Sequence, residues 1–145
     1  MNKTFIPSLD YNTRRWYIID CKDKKLGRIA SYITKLLTGK TKPYYHSAID
    51  VGDYVILINS QSMVINNKVE HLRVFCPGRP GSSLKRIVND TSQKIIKKSI
   101  SGMIKNGQIK RNLSKRLKIY QGSQHPHKAQ NPIYINNLDN LINNL

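Results

Sequence analysis

Acidic residues are scarce in this chain: eight Asp and Glu stand against 25 Lys and Arg among 145 residues, giving a formal charge of +17. A charge of that size on one small folded body repels itself unless an anionic partner lies alongside. Cysteine is nearly absent too. Cys21 and Cys76 lie far apart with no second pair, which argues against a disulfide framework or a Cys-rich zinc site and leaves both as ordinary reduced thiols in or near the core. Long hydrophobic runs are missing: the longest, Tyr54 to Ile58, is far short of the roughly 20 residues that cross a bilayer. Met1 to Leu9 has no stretch suited to a signal peptide, so the protein is expected to act in the compartment where it is made. Neither a phosphate-loop nor a dinucleotide fingerprint occurs, since Gly78 and Gly81 lack the residues that must follow at the required spacing. No Ser or Cys sits in the sequence context of a nucleophile.

What is present fits one domain. A chain of this length can bury roughly two-thirds of its unfolded surface, and 39% apolar with 23% charged residues describes a globular body with basic extensions better than a disordered one. Heavy use of Asn, Ile and Lys is the bias of AT-rich coding DNA. The cations are densest from Leu84 to Lys118, where eleven face one acid, Asp90. A polyphosphate backbone is the natural partner, because scattered Lys and Arg match its charge spacing and counterion release supplies affinity.

Trp16 to Ile19, closed by Asp20, reads as a buried strand followed by a polar turn through Lys22–Lys25. Leu26, Ile29, Ala30, Ile33, Leu36 and Leu37 fall on one helical face, and Gly39 stands where a left-handed cap belongs. Tyr54 to Ile58 is apolar without alternation, as in a strand covered on both faces, so strand, helix and strand predict a right-handed parallel βαβ unit. The connection from Thr38 to Asp53 is unusually long and carries Lys40, Lys42, Tyr44, Tyr45 and His46, a composition suited to function. Beyond Asn59, Met63–Ile65 and His71–Phe75 read as short strands or a helical turn. Pro77–Ser83 must be an irregular loop leading Arg79 into Lys85 and Arg86.

A helix capped by Thr91 or Ser92 would turn Ile95, Ile96, Ile100, Met103 and Ile104 inward, with Gly102 suggesting close packing or contact with a backbone. A shorter one over Gln108–Leu117 would bury Ile109, Leu113 and Leu117 and project Arg111 and Lys115. Ile119 and Tyr120 resemble a last strand, and the Asn- and Gln-rich segment from Gln121 is expected to be extended, with a partner-dependent conformation.

Taken in order, Trp16-Tyr17-Ile18-Ile19-Asp20, Leu26-Gly27-Arg28-Ile29-Ala30-Ser31, Gly39-Lys40, Asp50-Val51-Gly52-Asp53-Tyr54-Val55, Ile58-Asn59, Pro80-Gly81, Ser101-Gly102-Met103, Leu117-Lys118-Ile119-Tyr120-Gln121-Gly122 and His125-Pro126-His127-Lys128-Ala129-Gln130 resemble the large ribosomal subunit protein thirteen family of the bacterial type. Met1-Asn2-Lys3-Thr4, Pro7 and Arg14-Arg15-Trp16 look most like the cyanobacterial and plastid forms. Lys105 stands where the family usually has Pro, Cys21 where Ala is usual, and the helical stretch before Gly102 is shorter.

The resemblance implies an α/β fold, three-layer α/β/α with a small, mostly parallel four-stranded sheet and basic loop and tail extensions. It would form one domain over 1–145, with an arm over about 1–14 and a tail over about 121–145. It also implies a non-catalytic, cofactor-free constituent of the large subunit that binds 23S-type rRNA, supports early assembly and adjoins other large-subunit proteins, with no membrane or small-molecule partner. The plastid stroma is the expected location, or else a bacterial cytoplasm.

The residues expected at RNA are Arg14, Arg15, Arg28, Lys40, Lys42, Tyr44, Tyr45, His46, Arg79, Lys85, Arg86, Lys110, Arg111, Lys115, Arg116, His125, His127 and Lys128. Arg79, Lys85 and Arg86 follow a Gly/Pro loop, and guanidinium forks match phosphate oxygens in pairs. Lys110, Arg111, Lys115 and Arg116 have no neighbouring acids, although a solvated helix face is the plainer reading. Tyr44 and Tyr45 offer stacking faces beside Lys40 and Lys42, with at least one of the two rings expected to pack against the protein. His125 and His127 are too few for a metal site and better suited to hydrogen bonds with phosphate or ribose. Asp20, Asp50 and Asp53 read as turn and cap residues rather than a catalytic cluster. A small nuclease using the two histidines and an aspartate, or a DNA-compacting protein, would be the rival functions.

Overall fold

The computed structural model describes residues 14–64, 92–105 and 107–135. Strand β1 (Trp16–Asp20) leads through a turn into helix α1 (Leu26–Thr38), and a long connection returns the chain to strand β2 (Tyr54–Ile58). Helices α2 (Ser92–Met103) and α3 (Gln108–Arg116) run into β3 (Leu117–Ile119), and β4 (Ile133–Ile135) comes last. The sheet order is β3-β2-β1-β4 and every pairing is parallel, from Trp16 opposite Tyr54 to Ile19 opposite Ile135.

Side-chain alternation divides the sheet into two faces. Ile19, Val55, Leu57, Leu117 and Ile135 point into one core with Ile29, Ile33 and Leu37 of α1, Ile96 and Ile100 of α2, and Leu113 of α3. Ile18, Ile56 and Ile58 point the other way, beneath Trp16 and Tyr120. Both faces of β2 are thus covered, which is why its apolar run is unbroken. Each of these fully buried aliphatic side chains contributes about 1.5–3 kcal/mol of transfer free energy. Among the described residues all three helices share the first face, so the second is layered by aromatic rings rather than by a helix. Trp16 and Tyr54, adjacent in register, stack at 4.3 Å between centroids, and His127 lies 5.2 Å from Trp16.

Helix α1 lacks a capping side chain, since Lys25 stands at its N-cap. Backbone pairing substitutes: Leu26 N–H donates to the Val64 carbonyl, and Val64 N–H to that of Lys24. At the other end Gly39 takes φ +77°, and its N–H and that of Lys40 donate to Leu36 and Lys35 carbonyls, the left-handed cap its position predicts.

Several expectations shift. Helix α3 ends at Arg116, so Leu117 opens β3 instead of closing a helix. Met103 is exposed although it falls on the helical stripe of Ile96 and Ile100, while Ile104, just past the end of α2, is buried. Among the described residues a Cβ at Gly102 would meet no atom beyond its own helix backbone within 4 Å, so no packing seen there requires that glycine. Cys21 is fully buried, and burial pushes its thiol up to about 12. The segment after Gln121, expected as a partner-dependent tail, turns through a 3-10 helix (His127–Gln130) and then adds β4 to the edge of β1. The β-prone Ile-Tyr-Ile after Pro132 gains a full ladder there, and Ile135 a place in the core. The segment at 71–75, the loop at 77–83, Cys76 and all of the expected 1–14 arm except Arg14 lie outside the described residues.

Candidate nucleic-acid interface

The connection between α1 and β2 is held by two aspartates. The Asp50 carboxylate takes both terminal nitrogens of the Arg116 guanidinium in a two-pronged pair, and also accepts from Gly52 N–H. Asp53 accepts from the Lys42 ammonium at 2.6 Å and from Arg15 N–H at 2.9 Å; the Lys42 ammonium also donates to the Val51 carbonyl. Arg14 reaches the Asp50 carbonyl. Burial opposes ionisation of Asp50, but the Arg116 hydrogen bonds and charge outweigh it and hold the carboxyl below its ordinary range.

Gly52 makes this closure possible. It sits against α1 so tightly that a Cβ would overlap the Leu37 carbonyl oxygen and press the Arg116 guanidinium at 2.8 Å. The bare backbone therefore lets β2 start directly beneath the C-terminal turn of α1. Asp53 N–H completes the seam by donating to the Leu36 carbonyl.

The expected RNA-facing residues thus divide. Arg14, Arg15, Lys42 and Arg116 are brought together around the two aspartates, but only Arg15 keeps its side chain exposed, and Arg116 is just 2% exposed. Lys42 also sits 5.8 Å from the ring centroid of half-buried Tyr44, while Tyr45 is exposed. Packing claims one ring of the tyrosine pair and leaves the other outside. His46 is half-buried, its Nδ1 accepting from Ala48 N–H. Arg28, Lys40, Arg111, Lys115 and Lys128 are exposed, and Lys110 is half-buried. Lys94, Lys97, Lys98 and Lys105 on and after α2 are exposed as well. Arg79, Lys85 and Arg86 lie outside the described residues.

The histidines are not gathered with the rest. His127 Nε2 lies 2.8 Å from the Tyr120 hydroxyl, and its ring packs near Trp16 on the second face of the sheet. Burial, then the charges of Lys118 and His125, lower its pKa below 6.5. Among the described residues no three His, Cys, Asp or Glu side chains converge as a metal site would need. The third aspartate, Asp20, accepts from Lys22 N–H and the Asn59 amide. Burial raises its pKa, but those hydrogen bonds leave it net lowered, a turn role as its sequence position implies.

The result is a sorted surface. Of the four acids among the described residues, Asp50 and Asp53 are tied to cations inside, Asp20 is occupied at a turn, and Asp23 alone is exposed. A shallow cleft of about 400 Å³ opens beside this seam, between the C-terminal turn of α1, residues 45–50 and the end of α2. Tyr45, Met103, Lys40 and Lys105 are among its lining residues. Sequence periodicity had assigned Met103 to the core; only the packing of α2 on α1 turns it to this rim.

A family model described as Ribosomal protein L13 matches residues 14–126. The chain belongs to that family. It is 52% identical to large ribosomal subunit protein uL13c of Trieres chinensis over 133 residues, covering 92% of this chain and 96% of the relative. Large ribosomal subunit protein uL13 of Prochlorococcus marinus strain MIT 9312 is 37% identical, covering 94% and 99%. That of Dictyoglomus thermophilum is 39% identical, covering 92% and 99%. The matched span contains β1 through β3 and the whole Asp50–Arg116 seam, so family membership and the site just described concern the same part of the chain.

Proposed function

We propose that this protein is a non-catalytic constituent of the large ribosomal subunit that binds 23S-type rRNA and helps that RNA fold during early assembly, beside neighbouring large-subunit proteins. The observation that carries this reading is the sorting of charge among the described residues: two of the four acids, Asp50 and Asp53, are neutralised inside by Arg116 and Lys42, while most cations on α1, α2, α3 and the connections are exposed. A rigid α/β body carrying such a surface can touch separate RNA segments and offset their mutual repulsion. Family membership and the large-subunit names of the relatives support the same assignment. The uL13c relative favours a plastid ribosome in the stroma as the setting, and the heavy use of Asn, Ile and Lys suits an AT-rich organelle genome as it does an AT-rich bacterium.

Within this reading Arg15, Arg28, Lys40, Tyr45, Arg111, Lys115 and Lys128 contact RNA directly. Lys42 and Arg116 act through the shape of the scaffold. Arg79, Lys85 and Arg86 are assigned to phosphate on sequence grounds, as the exit of a Gly/Pro loop. The test is binding to a large-subunit rRNA transcript over a salt series, with duplex DNA as competitor. Binding that falls steeply with salt and prefers the transcript is expected, and Arg79→Ala/Lys85→Ala/Arg86→Ala should flatten the slope without shifting thermal unfolding. Equal affinity for duplex DNA, or RNA cleavage abolished by chelator, would overturn the assignment.

A further inference from the structure

We propose that the cleft between α1 and α2 seats a single unpaired nucleotide of the bound RNA, its base against Tyr45 and Met103 and its phosphates at Lys40 and Lys105. This deepens the RNA-binding reading and rests on it. The cleft, at about 400 Å³, falls within the range of about 300–1,000 Å³ typical of small-ligand sites. It has room for one nucleotide and not for a duplex.

Its walls suit a base. Thr34 and Thr38 line it, but their hydroxyls are spent on the Ala30 and Thr34 carbonyls, so they present mainly methyl groups beside Ile104. Tyr45 and Met103 are both large apolar side chains left exposed at its rim, 39% and 47% respectively. An aromatic face and a polarizable thioether are good surfaces for a splayed base, and only an unpaired base can offer its face to them.

The charge around the cleft also fits. Lys40 comes from the connection and Lys105 from just beyond α2, and both are exposed. The one carboxylate among the lining residues, Asp50, is already neutralised by Arg116, so it does not repel a phosphate. The ion pair that fixes the connection thereby makes the cleft cationic. Recognition is expected to tolerate any base, because stacking needs only a π-face.

The test uses the full chain labelled with ¹³C-methyl methionine, which gives three resonances, the Met103 signal assigned by Met103→Leu. Single-stranded oligoadenylate is expected to move the Met103 methyl upfield by ring current, and an RNA duplex of equal length is not. Tyr45→Ala should weaken oligoadenylate binding about tenfold, while Tyr45→Phe retains it. A silent Met103 methyl, an equal shift with duplex, or full affinity in Tyr45→Ala would overturn the proposal. Binding of an rRNA transcript measured on the same samples separates the two readings. A bound transcript with a silent methyl refutes the cleft alone, whereas no transcript binding refutes the RNA assignment itself.

Discussion

Arg111 and Arg116 leave the same nine-residue helix five positions apart, and their environments have nothing in common. Arg111, like Lys115, stands in solvent; Arg116 is buried and clamped by Asp50 across 66 residues of chain. An exposed cation is a solvated charge available to an anionic partner, worth little to folding by itself. A buried one is a structural commitment, because either partner left alone would be an uncompensated charge away from water. Positive charge in this chain is therefore divided: one part closes the fold, and the part left in solvent is what the proposed RNA-binding role would use.

Breaking the buried pair gives the largest expected effect. Asp50→Ala strands the Arg116 guanidinium and should destabilise the protein by about 3–5 kcal/mol, read as a lowered midpoint in urea. The pair also sets a pH dependence. Because Asp50's folded pKa is depressed, its contribution is fully present above the ordinary value of 3.8 and is lost as pH falls through the folded value. The wild type should thus lose more stability than Asp50→Asn between neutral pH and that acid range. Equal losses in the two proteins would mean that the pair contributes nothing.

The exposed side of the comparison predicts the reverse pattern. Arg111→Ala/Lys115→Ala should leave stability within about 0.5 kcal/mol yet reduce the salt slope of transcript binding by about 1.4–1.8, the share of two phosphate contacts. Unchanged binding would place this face of α3 in open solvent.

The smallest effect concerns His127, half-buried between these extremes. Its folded pKa is lowered, so folding favours the neutral ring: the contribution is present above 6.5 and fades as pH falls below it. An NMR titration should place its midpoint under 6.5, and a midpoint above that value would contradict the packing against Trp16 and Tyr120.

Much of this was legible from one dimension. The β1–α1–β2 unit follows from periodicity, because a helical stripe from Leu26 to Leu37 and an unbroken apolar run at Tyr54–Ile58 each permit only one arrangement of buried faces. Gly39 was readable as a cap for the same local reason. β4 was not readable: three residues carry too little pattern, and their strand exists only because the edge of β1 is available to pair with them. The division of Lys42 and Arg116 from their exposed neighbours was hidden as well. Helical spacing puts Arg116 on the side of Ile109 and Leu113 and Lys115 opposite, but it does not show what neutralises a buried guanidinium, since the aspartate that pairs with it lies in another element.

Composition by itself determined that the molecule carries a large surplus of cations on a small chain. Order along the chain determined its central strands and first helix. Only tertiary packing decided which cations stay in solvent and which are buried, because burial depends on what a distant segment brings into contact, and charge in a sequence has no inside or outside until the chain has folded.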